Sequence, residues 1–239
     1  MVNSSNGDAA MSSRLTIILL SLILLPGCGN DRRIDDRTAM GINGDVRQMT
    51  VVREDLANGL PPMLDDWLSE VWFDSAGRLS AVNGFEFSAH GDSITVTPSD
   101  SRTGIVIKLR RWQDGTALHY DGTVTDLSFP GGETSQCSAS ITLDDMGRVA
   151  AVQDTGLLGG LLRLADYCTS STRTFTYESE GPFPSGEHIK ASLGDNLTEV
   201  TITFAYTATD SLGNWTMRTA TDATTGKPAY IERRRLDYQ

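Results

Sequence analysis

The sequence predicts an all-β protein, an extended or curved antiparallel sheet built from repeated hairpins, with short helices at most. Apolar and polar residues alternate with a period of two in several segments, most regularly over residues 199–207, which is typical of a sheet with one buried face. Turn signals made of Asp, Gly and Asn separate these segments. One short turn motif also recurs three times along the 239-residue chain, which indicates a domain assembled from similar hairpins.

The recurring motif reads Asp-x-x-Gly between two strand-like segments and is followed by Arg or Asn. Aspartate at the first position of a type I turn can accept hydrogen bonds from the turn backbone, and the glycine can adopt a positive φ. Each copy therefore predicts a hairpin tip. The alternative, a calcium-binding loop, lacks the dense oxygen ligands that calcium requires. The three pairs of turn residues are Asp74 and Gly77, Asp144 and Gly147, and Asp210 and Gly213.

The motif resembles the YD (RHS-type) repeat, whose core is Tyr-Asp-x-x-Gly-Arg-Leu. The copies in this chain are Phe73-Asp74-x-x-Gly77-Arg78-Leu79, Leu143-Asp144-x-x-Gly147-Arg148-Val149 and Thr209-Asp210-x-x-Gly213-Asn214-Trp215. The tyrosine is absent from all three copies, and the third also lacks the arginine. The third copy further resembles repeats in small lipoproteins of Bacteroides-like bacteria. The resemblance implies an extended antiparallel sheet and a cell-envelope setting, but no activity.

The N-terminal region predicts a signal peptide, because residues 15–25 are almost wholly apolar and follow Arg14. The run is shorter than the roughly 20 residues that span a bilayer, and Met11 would make a more usual start for such a peptide than Met1. The alternative is a buried core helix. The run ends in Leu24-Leu25-Pro26-Gly27-Cys28, which resembles the lipobox of bacterial lipoproteins. The resemblance implies that Cys28 is lipidated and becomes the first residue of the mature chain.

Three regions follow from this interpretation: residues 1–27 as a lipoprotein signal peptide, residues 28–43 as a lipidated flexible tether, and residues 44–239 as a single β-sheet repeat domain. The tether is polar and has almost no apolar content, too little to order itself. The membrane is then the first predicted partner, reached through the N-terminal lipid anchor. Gly29 stands where some lipoproteins carry an aspartate that retains them in the inner membrane, which favours the outer membrane. The periplasmic and cell-surface faces remain alternatives.

The predicted strands follow one another along the rest of the chain. Residues 46–53, 105–112, 174–178 and 199–207 alternate as single strands. His90-Gly91-Asp92 predicts a hairpin between residues 85–89 and 94–97, and Asp121-Gly122 predicts another between residues 118–120 and 124–127. Residues 230–235, which include Arg233, Arg234 and Arg235, form either a final strand edge or a solvated tail.

Two segments fit no strand. Residues 58–69 predict a short helix after two prolines. Residues 156–167 are rich in leucine, and the alternatives are an apolar hairpin or helical turn that covers the core and an exposed patch that contacts lipid or a partner. The predicted core anchors are Trp67, Trp72, Trp112 and Trp215; any of them that faces solvent could stack on sugar rings.

The remaining cysteines and the charge limit the possible partners. An exported chain meets an oxidising compartment, which favours a disulfide between Cys137 and Cys168; the alternative is two free buried thiols. The formal net charge is −11, which argues against nucleic acid as a partner and against a polybasic membrane patch.

The sequence predicts no catalytic residue, no cofactor and no metal site. It holds no HExxH, no GxSxG and no phosphate-binding loop. The adjacent carboxylates Asp65-Asp66 and Asp144-Asp145 would point to opposite faces of a strand, which weakens an acid–base role. His90 and His119 lie in hairpin contexts typical of surface residues.

Two functions are therefore weighed, neither of them enzymatic. The first is a cell-envelope lipoprotein that presents a β-sheet as an interaction surface for an unknown envelope protein or glycan. The alternative is a carrier or chaperone for a lipid or another apolar envelope ligand held in a curved-sheet groove, which the leucines of residues 157–164 motivate.

Overall fold

A computed structural model describes residues 33–56, 67–99, 104–128, 130–155, 170–193 and 195–239. Within these residues the chain forms one helical turn and fourteen strands. The elements are α1 (Asp36–Ala39), β1 (Val46–Asp55), β2 (Trp67–Phe73), β3 (Leu79–Val82), β4 (Phe85–His90), β5 (Ser93–Pro98), β6 (Ile105–Asp114), β7 (Ala117–Asp126), β8 (Glu133–Leu143), β9 (Val149–Thr155), β10 (Ser170–Tyr177), β11 (Pro184–Leu193), β12 (Asn196–Thr209), β13 (Trp215–Asp222) and β14 (Pro228–Tyr238).

The strands form a closed barrel in which every strand pairs antiparallel with the next along the chain. The last strand closes it, because β14 lies against β1 from Val46↔Tyr238 to Asp55↔Tyr230. The predicted all-β class and the hairpin construction are confirmed. The sheet differs from the expected extended or curved sheet in being closed, because its first and last strands pair and leave no free edge. Arg233–Arg235 accordingly lie in a strand with a neighbour on each side, and the prediction of an edge or a tail was wrong.

The inward faces of the strands make the core. In β12, Ile202 is fully buried whereas Thr201 and Thr203 are exposed, as the alternation over residues 199–207 predicts. Buried apolar residues of β1–β9 form the larger of two interior clusters, and residues of β11–β14 form the smaller. Burial of these side chains is the main favourable term for folding, at about 25 cal/mol per Å² of apolar surface.

The predicted hairpin at Asp121-Gly122 was wrong. Strand β7 runs without a break through both residues and pairs with β6 and β8 along its whole length. A Cβ atom at Gly122 would lie 1.9 Å from the carbonyl oxygen of Lys108. The glycine therefore permits a close approach of two strand backbones rather than a turn.

Three of the four predicted core anchors, Trp72, Trp112 and Trp215, are not fully buried. Trp112 is 38% exposed, and Trp72 and Trp215 are half-buried. The largest fully buried side chains belong instead to Tyr120 and Tyr230. The reason is the strand alternation, which points Leu109 of β6 into the barrel and leaves Trp112, three residues later, on the outer wall.

The described part of the predicted tether also differs from a flexible segment. Residues 33–43 pack against the barrel, with Ile34, Ala39 and Ile42 buried in the larger interior cluster. Asp35 caps α1, because its carboxylate accepts a hydrogen bond from the Thr38 backbone N–H at 2.7 Å. Ile34, Ala39 and Ile42, with Met40 beside them, thus dock a segment that is otherwise polar.

Two further predictions fall wholly or partly outside the described residues. The predicted helix over 58–69 is one, although its last three residues, Trp67–Ser69, begin strand β2. The leucine-rich segment 156–167 is the other. Within the part of the chain that the structure describes, no helix is long and apolar enough to span a bilayer.

Candidate functional surfaces

The three Asp-x-x-Gly motifs form the hairpin turns β2–β3, β8–β9 and β12–β13. Asp144 is representative: its carboxylate accepts hydrogen bonds from the backbone N–H groups of Met146 and Arg148 at 2.9 and 2.8 Å and from the Arg148 side chain at 2.7 Å. Burial acts to raise the pKa of Asp144, but these hydrogen bonds and the Arg148 charge outweigh it and lower the pKa overall. Gly147 has a φ of +78°, which favours glycine.

All three turns lie at one end of the barrel, because each follows an even-numbered strand of an up-and-down barrel. The chain enters β1 and leaves β14 at this same end. Residues 33–43 dock here, and we call this end, with its three turns and the docked segment, the capped end.

Two of the three turns hold the docked segment in place. The carbonyl oxygen of Gly77 accepts hydrogen bonds from the backbone N–H groups of Asp36 and Arg37 at 3.0 and 3.2 Å. The side chain of Asn214 accepts from the Asn43 backbone N–H at 2.7 Å and donates to the Asn43 carbonyl at 3.0 Å. These contacts give the recurring turns a structural role at the capped end.

The remaining turn, between β8 and β9, contacts a neighbouring connection of the barrel instead. The guanidinium of Arg148 donates to the carbonyl oxygens of Ser179 and Gly181 at 3.0 and 2.9 Å, in the connection between β10 and β11. It also lies 4.1 Å from the centroid of the Tyr177 ring. The Arg or Asn that follows the glycine thus links each of the second and third turns to another segment.

Asp36 is the most deeply engaged residue of the docked segment. Its side chain is almost wholly buried and accepts hydrogen bonds from the Leu79 backbone N–H at 2.7 Å, the Arg111 guanidinium at 3.0 Å and the Tyr120 hydroxyl at 2.6 Å. Burial and the adjacent carboxylate both raise the pKa of Tyr120 well above its usual value. The phenol therefore stays a hydrogen-bond donor.

Part of the barrel interior is lined by charged side chains that form ion pairs. Glu232 is buried and accepts hydrogen bonds from Arg53 at 2.8 Å and Arg218 at 2.5 Å. Burial alone would raise the pKa of Glu232, but the two guanidinium groups lower it to about 2. A second buried carboxylate, Glu187, accepts from Arg173 at 2.5 Å. These residues come from β1, β10, β11, β13 and β14, so the network joins the first and the last strand of the barrel.

Arg234 adds another buried cation beside this network. Its Nε donates to the Trp215 carbonyl oxygen at 3.0 Å, and the guanidinium lies 4.0 Å from the Trp215 ring centroid. Its Nη2 has no hydrogen-bond partner among the described residues. Burial and the positive charge of Arg218 lower the pKa of Arg234 to about 10.

The outer wall has a different chemistry, because its side chains are mainly hydroxyl-bearing and charged. Thr174 and Thr176 of β10 and Thr201, Thr203 and Thr207 of β12 are all exposed. On the other side of the barrel, Lys108 and Arg110 of β6 are exposed as well. The polar face of the alternating segment 199–207 is thus on the outside of the barrel.

One aromatic pair stands on this outer wall. The rings of Trp112 and His119 are stacked, with centroids 4.0 Å apart and planes inclined by 11°. The indole N–H of Trp112 donates to the Asp121 carboxylate at 2.5 Å. We call this arrangement of Trp112, His119 and Asp121 the tryptophan pair.

Two of the predicted site residues lie outside the part of the chain that the structure describes. Cys28 and Cys168 lie outside the described residues, so lipidation and the Cys137–Cys168 disulfide stay predictions. In the structure Cys137 is a free, buried thiol that points into the barrel, and burial with a smaller contribution from Asp121 raises its pKa to about 11. Among the described residues, no group of three or more His, Cys, Asp and Glu side chains could hold a metal ion.

The sequence interpretation missed the interior ionic network and the tryptophan pair. A signal for the first existed: Glu232 and Arg234 are two positions apart in a strand-like segment, which places both on one face. For the second, Trp112 and His119 flank the dipeptide Asp114-Gly115, a common hairpin-turn sequence, so hairpin register could have paired them.

Comparison with known proteins adds two distant structural similarities. No family model and no curated protein matches this sequence. A porin-like protein from Bacteroides vulgatus has a TM-score of 0.42 and 11% identity, over 82% of this chain and 99% of that one. A porin-like protein from Bacteroides uniformis has a TM-score of 0.36 and 10% identity, over 80% of this chain and 98% of that one. At these values neither similarity assigns this chain to a family or a function.

Proposed function

We propose that this protein is a non-enzymatic lipoprotein of the outer membrane whose barrel presents its outer wall as an interaction surface. One observation carries the proposal. Hydroxyl-bearing and charged side chains point outward from the strands, whereas the inward side chains pack against one another. The polar wall is therefore the large surface that a partner can reach.

The composition of the wall supports attachment through a lipid rather than through the strands. A barrel that spans a bilayer exposes an apolar band about 25 Å tall, flanked by aromatic girdles. Here the outward positions in the middle of β10 and β12 are threonines such as Thr174, Thr201 and Thr203, and those of β6 include Lys108 and Arg110. The proposed barrel stands in water, and a lipid on Cys28 holds it at the membrane.

The interior gives less support to the alternative of a lipid carrier. Its apolar part packs around Ile34, Ala39 and Ile42 of the docked segment. Its remaining part contains the ion pairs of Glu232 and Glu187, and an apolar ligand would leave such charges without solvation. A polar partner on the outer wall suits both observations better.

The anchor is tested by replacing Cys28 with serine in the full chain. We expect the wild-type chain to incorporate an alkyne-labelled fatty acid and to sediment with outer membranes, whereas Cys28→Ser incorporates none and moves to the soluble fraction. The matched control is Cys137→Ser, which removes a buried cysteine that is not the lipidation site and should leave both properties unchanged, whether or not Cys137 pairs with Cys168. A Cys28→Ser chain that stays in the membrane fraction would contradict the proposal and favour strands inserted in the bilayer.

The interaction surface is tested by photocrosslinking in intact envelopes. A photoreactive residue at Thr203 on the outer wall is expected to give discrete adducts, and one at Ala76 in the β2–β3 turn of the capped end serves as the comparison. Adducts of equal size and yield at both positions would indicate random collision and speak against a specific wall surface.

A further inference from the structure

Trp112 is unusual among the described tryptophans because its side chain is exposed on the outer wall, with 38% of its surface accessible. A large apolar ring normally gains by burial, so a ring left in water is a candidate contact for a ligand. We propose that the tryptophan pair is a binding platform for a sugar ring of an envelope glycan. This inference rests on the proposed function only in taking the outer wall as the surface that meets partners.

Two contacts fix the indole ring before any ligand arrives. Strand register places Trp112 directly opposite His119 and Arg110 opposite Asp121. The stacked imidazole supports one face of the indole, and the hydrogen bond to Asp121 restrains rotation of the ring about its own side-chain bonds. A ring held in this way loses little side-chain entropy on binding, which favours affinity.

The strand on the other side of β6 brings no side chain opposite Trp112, because Gly91 occupies that position. The pairing of β5 with β6 ends at Ser93↔Arg110, and the hydrogen bond from the Arg111 backbone N–H to the Asp92 carbonyl places Gly91 beside Trp112. Gly91 has no side chain, and nothing lies within 4 Å of the position its Cβ would occupy. No side chain at position 91 therefore covers the indole from this neighbouring strand, which leaves that side of the exposed ring for a ligand.

The groups around the exposed ring favour a sugar. A pyranose has an apolar C–H face that packs on an aromatic ring, and hydroxyl groups at its edge that need both donors and acceptors. Arg110 supplies donors, and the carboxylates of Asp92 and Asp121 supply acceptors; all three side chains are exposed. A nucleobase would also stack, but the net charge of −11 opposes approach of a phosphate backbone.

The test measures binding of defined glycans to the purified full chain by isothermal titration calorimetry. The probes are cellohexaose, mannohexaose, xylohexaose and chitohexaose, with tetramethylammonium chloride as a cationic competitor for the same ring. We expect at least one hexasaccharide to bind the wild type. Trp112→Ala should weaken that binding at least tenfold, and Trp112→Phe, which keeps an aromatic face, should restore part of it.

The matched control is Trp72→Ala, which removes another tryptophan from the outer wall, in β2. It should bind the same glycan as tightly as the wild type does, and thermal unfolding should show that both alanine variants are folded. The proposal is overturned if no hexasaccharide binds the wild type, if Trp112→Ala binds normally, if both alanine variants lose binding alike, or if the ammonium ion binds in place of any sugar. Because purified protein is used, these results are independent of whether Cys28 anchors the chain.

Discussion

At the scale of single residues, the stability of the capped end depends on Asp36. One carboxylate oxygen accepts from the Leu79 backbone N–H, and the other accepts from the Arg111 guanidinium and the Tyr120 phenol, so replacing either oxygen leaves at least one buried donor without its acceptor. Asp36→Asn replaces one acceptor oxygen by an amide that points further donors at these groups. We expect a loss of about 2–4 kcal/mol in the free energy of unfolding, measured by urea denaturation.

The neighbouring carboxylate provides the control for this change. Asp35→Asn keeps an acceptor at the N-cap of α1, where asparagine is as good as aspartate, and should alter the free energy of unfolding by less than about 0.5 kcal/mol. Equal effects of the two substitutions would show that Asp36 has no special role.

Gly122 tests the close approach of β6 and β7. A methyl group there would meet the Lys108 carbonyl at 1.9 Å, and neither backbone can move without breaking strand pairing. Gly122→Ala should therefore cost about 3 kcal/mol or more. Gly91→Ala, which meets no atom but has a φ of +63°, should cost only about 1–2 kcal/mol. A smaller effect at Gly122 than at Gly91 in thermal or urea unfolding would refute the explanation.

Gly122 and Asp36 also show which features a local sequence pattern cannot predict. Asp114-Gly115 and Asp121-Gly122 are the same dipeptide, yet the first turns the chain and the second lies inside a strand. The difference arises from contacts with β6, which a local pattern does not contain. The partners of Asp36 are likewise 43, 75 and 84 residues away, so neither the docked segment nor its buried acid could be predicted.

At the scale of elements, the three recurring turns were predictable because each position has a local reason. The aspartate completes hydrogen bonds within its own turn, and the glycine adopts a positive φ, +76° to +78° in all three copies. Which segments the turns then hold is set by the following residue and its distant partners, such as Asn43 for Asn214. Sequence therefore located the turns but not the capped end.

The turn between β8 and β9 gives a direct test of this local account. Gly147 has a φ of +78° and no atom near its missing Cβ, so a substitution meets strain without a clash. Gly147→Ala should lower the free energy of unfolding by about 1–2 kcal/mol. Gly147→Asn should lower it less, because asparagine adopts this conformation more readily. If both variants are as stable as the wild type in urea, positive φ is not what selects glycine there.

At the scale of the whole molecule, the closure of the barrel could not be predicted from the sequence pattern. Alternation and turn residues predict that hairpins form a sheet, but they are identical for a sheet that stays open. Closure depends on pairing between β1 and β14, for example at Arg53↔Glu232, which are 179 residues apart. The buried ion pair between these two residues lies at the seam and joins the ends of the chain.

The ion pairs of Glu232 at this seam make the free energy of unfolding depend on pH in the acidic range. Glu232 has a pKa of about 2 in the folded protein against an ordinary value of 4.5, so folding favours its ionised form. Its contribution is fully present above about pH 4.5 and is lost as the pH falls from about 4.5 to about 2. The shift corresponds to about 3 kcal/mol. The lowered pKa values of Asp74, Asp144 and Asp210 act in the same direction.

The contribution of Glu232 can be isolated with Glu232→Gln. At neutral pH this variant leaves Arg53 and Arg218 buried without their carboxylate, and we expect it to lose about 3–5 kcal/mol. Near pH 2 the wild-type carboxyl is about half protonated and most of its pH-dependent contribution is lost, so the two proteins should nearly converge in the free energy of unfolding. Urea denaturation between pH 7 and pH 2 measures the gap between them. A gap that stays constant across this range would show that the acid sensitivity arises elsewhere and that the seam carries no titrating charge.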